Sequence, residues 1–262
     1  MSAVLPRQGS LLIAFGLIGA LGACRMPSLR SPTAVRGPVE RDASFVESDG
    51  HRIRVDVYQP GHAGRHPAAI LLHGSGGIHM INPSLVNRYA EVLAEQGIIC
   101  FVVHYFDGTG NFTADDSVEA ANYFHWVREL HDAVTWVRAR SDVRPNQIGL
   151  MGHSLGAWLA VGAAAADPRI SRIVLLGSGL EPWLVDSIKR MPPTLMFHGD
   201  KDDVVLQSEA DHLAAYLRAH RFSVQYHIYP GEGHQFADSA ATDMLEKSIR
   251  FLAPDLRRAP AR

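Results

Sequence analysis

Three short segments of the chain carry residue types that can do nucleophilic chemistry. Ser154 lies in the first, "IGLMGHSLGAW", with a glycine two residues away on either side. A serine hydroxyl becomes a nucleophile when a base removes its proton and an acid orients that base. The second segment, "FHGDKDDVV", offers Asp200, Asp202 and Asp203 as the acid, and the third, "YPGEGHQF", offers His234 as the base. Residue types in this chain order predict acyl transfer through a serine nucleophile.

The first segment also has the local pattern of a sharp turn between a strand and a helix. An apolar run over Gln147–Met151 predicts a buried strand, and the Ala-rich run Leu155–Ala166 predicts a closely packed helix. Glycines at 152 and 156 allow neighbouring backbone to approach the serine without a Cβ clash. A glycine turn with a capping serine would share the pattern, but the acid and base that follow favour a nucleophile elbow.

The elements around these segments alternate between strands and helices. Residues 68–74 ("AAILLHG") form a continuous apolar run, as expected of a strand buried on both faces. The pattern predicts a mostly parallel sheet with helices on both faces, in one domain over residues 44–254. The predicted strands are Ser44–Glu47, Arg52–Tyr58, Ala68–Gly74, Ile98–His104, Gln147–Met151, Arg172–Leu176, Thr194–Phe197 and Ser223–Tyr229. The predicted helices are Pro83–Gln96, Val118–Arg140, Leu155–Ala166, Val185–Arg190, Gln207–His220 and Ser239–Leu252, the second with Phe124, Val127, Leu130, Val134 and Val137 on its apolar side.

With these segments in place, the chain from about Phe45 to Leu252 resembles an α/β-hydrolase of the dienelactone hydrolase-like and related esterase branch. Four segments carry the resemblance, in the family's order: "LLHGSGG", "IGLMGHSLGAW", "MFHGDKDDVV" and "YPGEGHQF". The resemblance implies Ser154 as nucleophile, Asp202 as the acid of an H-G-x-x-D-x-x-V motif and His234 as base, with Asp203 as the fallback acid. Dienelactone hydrolases proper use a cysteine nucleophile, so the serine here puts dienelactone specificity in doubt.

Acyl transfer also needs hydrogen-bond donors where negative charge develops on the substrate oxygen. In this fold one donor is the backbone N–H of the residue after the nucleophile, here Leu155. The second comes from the loop after the apolar run at 68–74, where Ser75 or Gly76 would supply its N–H. The alternative for this glycine-rich stretch is a flexible turn without a catalytic role.

The preferred activity is hydrolysis of a small carboxylic ester, with neither metal nor organic cofactor. Two alternatives stay open: a peptidase or amidase of the prolyl-oligopeptidase type, and a binding protein of the same fold that has lost catalysis. No large lid domain is predicted. The loop "YFDGTGNFTADD" is a candidate rim of the site. Five aromatic residues are candidates for an acyl pocket or for the core: Tyr105, Phe106, Trp126, Trp158 and Trp183.

The first 24 residues have the layout of a secretory signal peptide. Arg7 precedes an apolar stretch that ends in Leu-Gly-Ala-Cys, which resembles the lipobox of bacterial lipoproteins. The resemblance implies a signal peptide over residues 1–23, a lipid on Cys24, and export to the cell envelope with membrane contact through that lipid alone. Residues 24–43, rich in Pro and Arg, are predicted to form an extended tether, and residues 255–262 a disordered tail.

The composition excludes several other classes of protein. The chain has 262 residues and a net charge of −2, so no overall basicity points to nucleic acid. Its 14 histidines form no H-E-x-x-H pair and no Cys/His cluster at ligand spacing, so no metal site is predicted. Cys100, the only other cysteine, lies in an apolar run and is predicted to be a buried hydrophobic residue. The sequence leaves the oligomeric state open.

Overall fold

A single sheet of eight strands organises the chain in the computed structural model, which describes residues 36–78 and 85–257. The strands are β1 Arg36–Val46, β2 Arg52–Pro60, β3 His66–Leu72, β4 Ile99–Val103, β5 Val143–His153, β6 Arg172–Leu176, β7 Thr194–Gly199 and β8 Val224–Tyr229. Their order is β1-β2-β4-β3-β5-β6-β7-β8. Strands β3 to β8 are mutually parallel, and β2 is antiparallel to both of its neighbours.

Helices cover both faces of this sheet. They are α1 Leu85–Glu95, α2 Asp116–Ala139, α3 Leu155–Ala166, α4 Gln207–Ala219 and α5 Asp238–Leu252, with 3-10 turns at Pro182–Leu184 and Pro254–Arg257. The apolar core divides accordingly, with α2, α3 and α4 packed on one face and α1 and α5 on the other. The predicted mostly parallel sheet with helices on both faces is therefore confirmed.

Strand β3 shows why the central strands have continuous apolar sequences. All seven of its residues are buried, because the strand lies between β4 and β5 with helices above and below. The carboxyl ends of β3, β5, β7 and β8 lie at one edge of the sheet, and the loops that follow them bring the candidate residues together. Among the described residues, the connections 104–115 and 177–193 at this edge contain no α-helix.

The sequence-based boundaries were wrong at both ends of the domain. Residues 36–43 were assigned to a tether, but they form the first part of β1 and pair with β2. An edge strand gains its hydrogen bonds from the backbone, so a polar sequence does not prevent pairing, and two register irregularities interrupt this strand. Pro254–Arg257 forms a 3-10 turn where the disordered tail was predicted to begin, and Leu256 packs against the core. The signal peptide, Cys24 and residues 258–262 lie outside the described residues.

Two predictions within the domain also need correction. The short helix predicted over Val185–Arg190 is replaced by a 3-10 turn at Pro182–Leu184, which begins at the proline that favours a first helical position. Phe124 is 64% exposed, whereas Tyr123 and Trp126 join the predicted residues of α2 in the core. The apolar stripe of that helix is thus offset by one residue at its N-terminal end.

None of the helices within residues 36–78 and 85–257 combines the length and apolar character needed to span a bilayer.

Candidate active site

Ser154 occupies the turn between β5 and α3. Its backbone has φ 55° and ψ −127°, which places a non-glycine residue in a region that L-residues rarely adopt. The Ser154 N–H donates to the carbonyl of Leu176 at 2.8 Å, and its carbonyl accepts the N–H of Ala157 at 2.8 Å. Hydrogen bonds to β6 and to the first turn of α3 therefore hold the strained residue in place.

The glycine on the helix side of the turn is required by close packing. A Cβ on Gly156 would lie 2.5 Å from the carbonyl oxygen of His73 and 2.6 Å from that of Leu72. Both obstacles are backbone atoms of the central strand and its end, so no side chain can move aside to make room. A Cβ on Gly152 would in turn collide with the backbone at Gly156. The spacing of the two glycines is thus a direct consequence of how α3 packs against β3.

An acid and a base lie in hydrogen-bond contact beside this turn. His234 Nδ1 is 2.9 Å from Asp202 Oδ2 and 3.1 Å from Asp202 Oδ1. Asp202 Oδ1 also accepts the backbone N–H groups of Val204 and Val205, at 3.0 and 2.9 Å. Burial opposes ionisation of Asp202, but the hydrogen bond from His234 and these backbone donors outweigh it and lower its pKa. A carboxylate acceptor keeps the proton of His234 on Nδ1, which leaves Nε2 as an acceptor.

The other two carboxylates of this loop lie in different surroundings. Asp200 accepts the backbone N–H of Gly231 at 2.7 Å and so links two loops. Asp203 is exposed. Of the three candidates, Asp202 is the one the structure brings to His234.

Ser154 and His234 border one cavity of about 180 Å³. The hydrogen bonds of the described residues include none between the Ser154 hydroxyl and the His234 ring. Nucleophile and base are often poorly aligned in free enzymes, and the contact tightens when substrate binds. The cavity is lined by His73, Gly74, Ser75, Gly76, Gly77, Leu85, Val86, His153, Ser154, Val204, His234 and Gln235.

The candidate oxyanion donors approach the serine from two sides. Leu155 is the first residue of α3, where backbone N–H groups have no partner within the helix. Gly74 packs so closely that a Cβ there would lie 3.1 Å from Ser154 Cβ, and the turn that follows carries Ser75 and Gly76 into the cavity wall. Neither the Ser75 nor the Gly76 amide donates a hydrogen bond within the described chain.

Tyr105 supports the turn at residues 73–77 from below. Its hydroxyl donates to the carbonyl oxygen of His73 at 2.7 Å, and its ring stacks on the His73 ring at 4.1 Å. The sequence placed Tyr105 among five aromatic residues that would form either an acyl pocket or the core. Tyr105, Phe106 and Trp126 are buried in the core, and none of the five lines the cavity at Ser154. Trp183 is 46% exposed.

The sequence reasoning missed the role of His153. Its Nε2 lies 3.0 Å from the carbonyl oxygen of His234, and a carbonyl only accepts, so Nε2 carries the proton. Burial, with a contribution from nearby His234, lowers the pKa of His153 to about 4. The residue is therefore a neutral donor that holds the backbone of His234. Its position as the variable residue before the serine of the elbow was the signal available in the sequence.

A second cavity adjoins the first through His73. It measures about 140 Å³ and is lined by Arg54, His73, Ile78, His104, Phe106, Asp107, Gly110, Asn111 and Phe112. Asp107 accepts two hydrogen bonds from the Arg54 side chain, at 2.7 and 2.8 Å. The loop 104–115 thus forms part of this second cavity's wall, but none of its residues lines the cavity at Ser154. Its place at the rim of the active site stays a prediction.

Comparison with known proteins gives a family and a fold. The model of the dienelactone hydrolase family matches residues 53–250. A Mycobacterium tuberculosis protein named "Putative phosphoribosyl transferase" is 30% identical over 184 residues, which are 68% of this chain. The chain spans only 38% of that protein's length. Esterase LipC of the same organism is 25% identical over 267 residues, covering 79% of this chain and 63% of LipC.

A solved structure agrees with the fold. The dienelactone hydrolase-like promiscuous phosphotriesterase P91 from metagenomic libraries superposes with a TM-score of 0.69 at 14% identity, covering 83% of this chain and 98% of P91. The predicted α/β-hydrolase fold is therefore confirmed.

Proposed function

Because the chain belongs to the dienelactone hydrolase family, we propose that it is a serine hydrolase that cleaves small carboxylic esters. One observation carries the proposal: Ser154, on a strained strand-to-helix turn, shares a cavity with a histidine whose far nitrogen is held by a buried carboxylate. That arrangement matches the requirements of acyl transfer, in which a nucleophile, a base and an orienting acid act as a unit. The similarity to an esterase supports the same reaction class.

The proposed reaction proceeds in two halves. His234 Nε2 removes the proton of the Ser154 hydroxyl as its oxygen attacks the acyl carbon, and the protonated ring then gives that proton to the departing alcohol. In the second half, His234 removes a proton from a water molecule as that water attacks the acyl-enzyme. The protonated ring then returns the proton to the Ser154 oxygen, and the acyl group leaves as a carboxylic acid. Asp202 stabilises the cationic form of His234 throughout. These steps use only protein groups and water.

The negative charge that forms on the acyl oxygen needs two donors in the proposed mechanism. The N–H of Leu155 at the start of α3 is one, and the helix dipole favours an anion at that point. The N–H of Ser75 or Gly76 is the other. Removal of one such donor typically costs about 3–4 kcal/mol of transition-state stabilisation.

The size of the cavity favours a short acyl group. A volume of about 180 Å³ is below the roughly 300–1,000 Å³ of pockets that hold drug-sized ligands. Its lining includes the turn at residues 73–77 together with Leu85, Val86 and Val204. We therefore propose esters with short acyl chains as preferred substrates.

The test is hydrolysis of p-nitrophenyl esters of graded acyl length by the full-length chain. We expect turnover that is highest for the short esters, is abolished in Ser154→Ala and is unchanged in Ser208→Ala, a matched loss of an exposed serine on α4. A fluorophosphonate probe should label the wild-type chain and not the Ser154→Ala variant. Labelling without ester turnover would move the substrate to peptides or another acyl compound. A folded wild-type chain that resists the probe and leaves every ester intact would refute the nucleophile.

We also propose that the chain is exported and carries lipid on Cys24, from the composition of residues 1–24 alone. The prediction is tested by growing expressing cells with an alkyne-bearing fatty acid. Wild type and Cys100→Ala should incorporate the label, and Cys24→Ala should not. Equal labelling of the Cys24→Ala variant would refute the anchor.

A further inference from the structure

A second group of titratable side chains lies away from Ser154, between the β1–β2 turn and α2. It consists of Glu47, His125 and Glu129, each of which offers one ligand atom, and these atoms all lie within 4.8 Å of one another. His125 Nε2 is 3.6 Å from Glu47 Oε1 and 3.6 Å from Glu129 Oε1. Residues 125 and 129 are one helical turn apart on α2, and the hairpin turn brings Glu47 to the same place.

The two carboxylates are buried, and within the described residues three of their four oxygens lack a hydrogen-bond partner. Glu129 is 0% exposed and Glu47 is 3% exposed. Within the described residues, neither oxygen of Glu129 has a hydrogen-bond partner, and Glu47 Oε2 and His125 Nε2 also lack one. Burial, together with the negative charge of Glu47, raises the pKa of Glu129 to about 9. Two adjacent buried carboxylates are costly unless a proton or a cation neutralises them.

A glycine lets the loop after β4 pack directly against the two acids. Gly108, in the loop after β4, lies against both carboxylates. A Cβ at this position would collide with Glu129 Oε1 and lie 3.0 Å from Glu47 Oε1. The loop can therefore approach the two acids only because residue 108 has no side chain.

We propose that Glu47, His125 and Glu129 bind a divalent first-row transition metal, with Zn²⁺ as the representative ion. Two carboxylate oxygens and one imidazole nitrogen form a ligand set that suits Zn²⁺ and Mn²⁺. Ligands about 2.0–2.1 Å from a tetrahedral ion are about 3.3–3.4 Å apart, and the two measured separations of 3.6 Å are close to that value. Water would complete the coordination. The His125 side chain is 20% exposed, although its Nε2 is buried.

Further polar groups contact two of the three proposed ligands, Glu47 and His125. His51 Nδ1 donates to Glu47 Oε1 at 2.8 Å and so orients that carboxylate. When Nε2 of His125 binds a metal, Nδ1 carries the proton, and Asp49 Oδ2 is an acceptor 3.6 Å from it. The exposed Arg128 side chain lies 2.9 Å from the same Nδ1 and pairs with Asp49, so metal binding requires this arginine to turn away from His125.

The bound ion would connect the hairpin turn and α2, and the loop that contains Gly108 packs against both of its carboxylate ligands. The same loop contributes Asp107, Gly110, Asn111 and Phe112 to the second cavity beside the proposed active site. The site is therefore placed to stiffen this loop, and the inference does not depend on the reaction at Ser154.

The first test is Zn²⁺ binding by the full-length chain after dialysis against a chelator. Isothermal titration calorimetry should show one strong site per chain, and saturating Zn²⁺ should raise the thermal midpoint by several degrees, since a ligand that binds only the native state stabilises it. His125→Ala should weaken binding by more than about a hundredfold, because it removes a ligand. The matched control is His212→Ala, which removes an exposed histidine of α4 and should leave binding unchanged.

A second variant tests a buried ligand without a large change in the shape of its side chain. Glu129→Gln preserves the shape of the side chain and removes one ligand charge, so it too should weaken Zn²⁺ binding while circular dichroism reports a folded chain. Binding that is equal in the wild type, His125→Ala and Glu129→Gln would overturn the proposal. So would a chelator-treated wild type that gains neither heat of binding nor thermal stability from Zn²⁺.

Discussion

Replacement of Asp202 by asparagine should switch the proton of His234 to the wrong ring nitrogen. Asp202 Oδ1 accepts two backbone N–H groups, from Val204 at 3.0 Å and Val205 at 2.9 Å. In the variant only the amide oxygen can face those two donors, so the amide nitrogen takes the place of Oδ2. That nitrogen then lies about 2.9 Å from His234 Nδ1 and can only donate. Nδ1 must accept, and the ring proton moves to Nε2, where it blocks removal of the Ser154 proton.

The size of the effect follows from this tautomer argument. An aspartate-to-asparagine change in a serine-protease triad that leaves the geometry intact lowers kcat by about 10⁴. The same factor corresponds to about 5 kcal/mol of added barrier, at 1.36 kcal/mol for each tenfold change. We expect a loss of this order here, because the two backbone donors prevent the asparagine from rotating to present its oxygen to the ring.

The assay is kcat/KM on a short p-nitrophenyl ester, together with the rate of fluorophosphonate labelling at Ser154. Asp203→Asn is the matched control, since it makes the same change on an exposed neighbour, and it should stay within about twofold of the wild type. Thermal unfolding checks that both variants are folded. The reasoning would be refuted by an Asp202→Asn variant within tenfold of the wild type, or by an equal loss in Asp203→Asn.

Three further predictions concern the supports of the site. The pKa of His153 is about 4 in the folded chain and near 6.5 in an unfolded one. Between pH 4 and pH 6.5 unfolding therefore takes up a proton, and the free energy of unfolding should fall by up to about 3 kcal/mol as the pH drops from 6.5 to 4. Urea unfolding should show a shallower fall in His153→Gln, and equal slopes would contradict the assignment. Tyr105→Phe leaves the His73 carbonyl without its buried donor and should lower stability by about 1–3 kcal/mol. If the turn at residues 73–77 holds the oxyanion, kcat should fall while KM stays the same. An unchanged kcat would count against a role for that turn. Gly156→Ala forces a Cβ against the backbone at Leu72 and should destabilise the chain by about 1–3 kcal/mol in urea unfolding. Unchanged stability would mean that the turn at Ser154 tolerates a side chain at this position.

Most of the sheet and its helices could be predicted because their patterns are local. The Leu155–Ala166 helix and the Arg172–Leu176 strand have the predicted bounds. The first half of β1 could not be predicted in this way, because its polar residues at the sheet edge are paired through backbone atoms. Phe124 was misplaced for a related reason: a one-residue change of phase on α2 moves a large apolar side chain from the core to the surface, and spacing alone does not fix that phase.

The candidate site divides in the same manner. Ser154, Asp202 and His234 lie in motifs that are each a few residues long, so their order along the chain was enough to select them. The support from Tyr105 and His153 depends on contacts across 32 and 81 positions, which no local pattern records. Glu47 and Glu129 are likewise far apart in the sequence. Only the His125–Glu129 spacing on α2 was visible beforehand, and one such pair is common on any exposed helix.

The direction of β1 determines at which end of the sheet the described chain begins. Because β1 is antiparallel to β2, and β2 to β4, β1 runs parallel to the central strands and enters the sheet at their amino ends. Leu256, near the other end of the described chain, packs beside Gly97 just before β4 begins, so it lies at this same end. Ser154 follows the carboxyl end of β5 and so lies at the opposite end of the sheet. Both ends of the described chain therefore lie away from the entrance to the candidate active site, so a substrate would reach Ser154 without passing either of them.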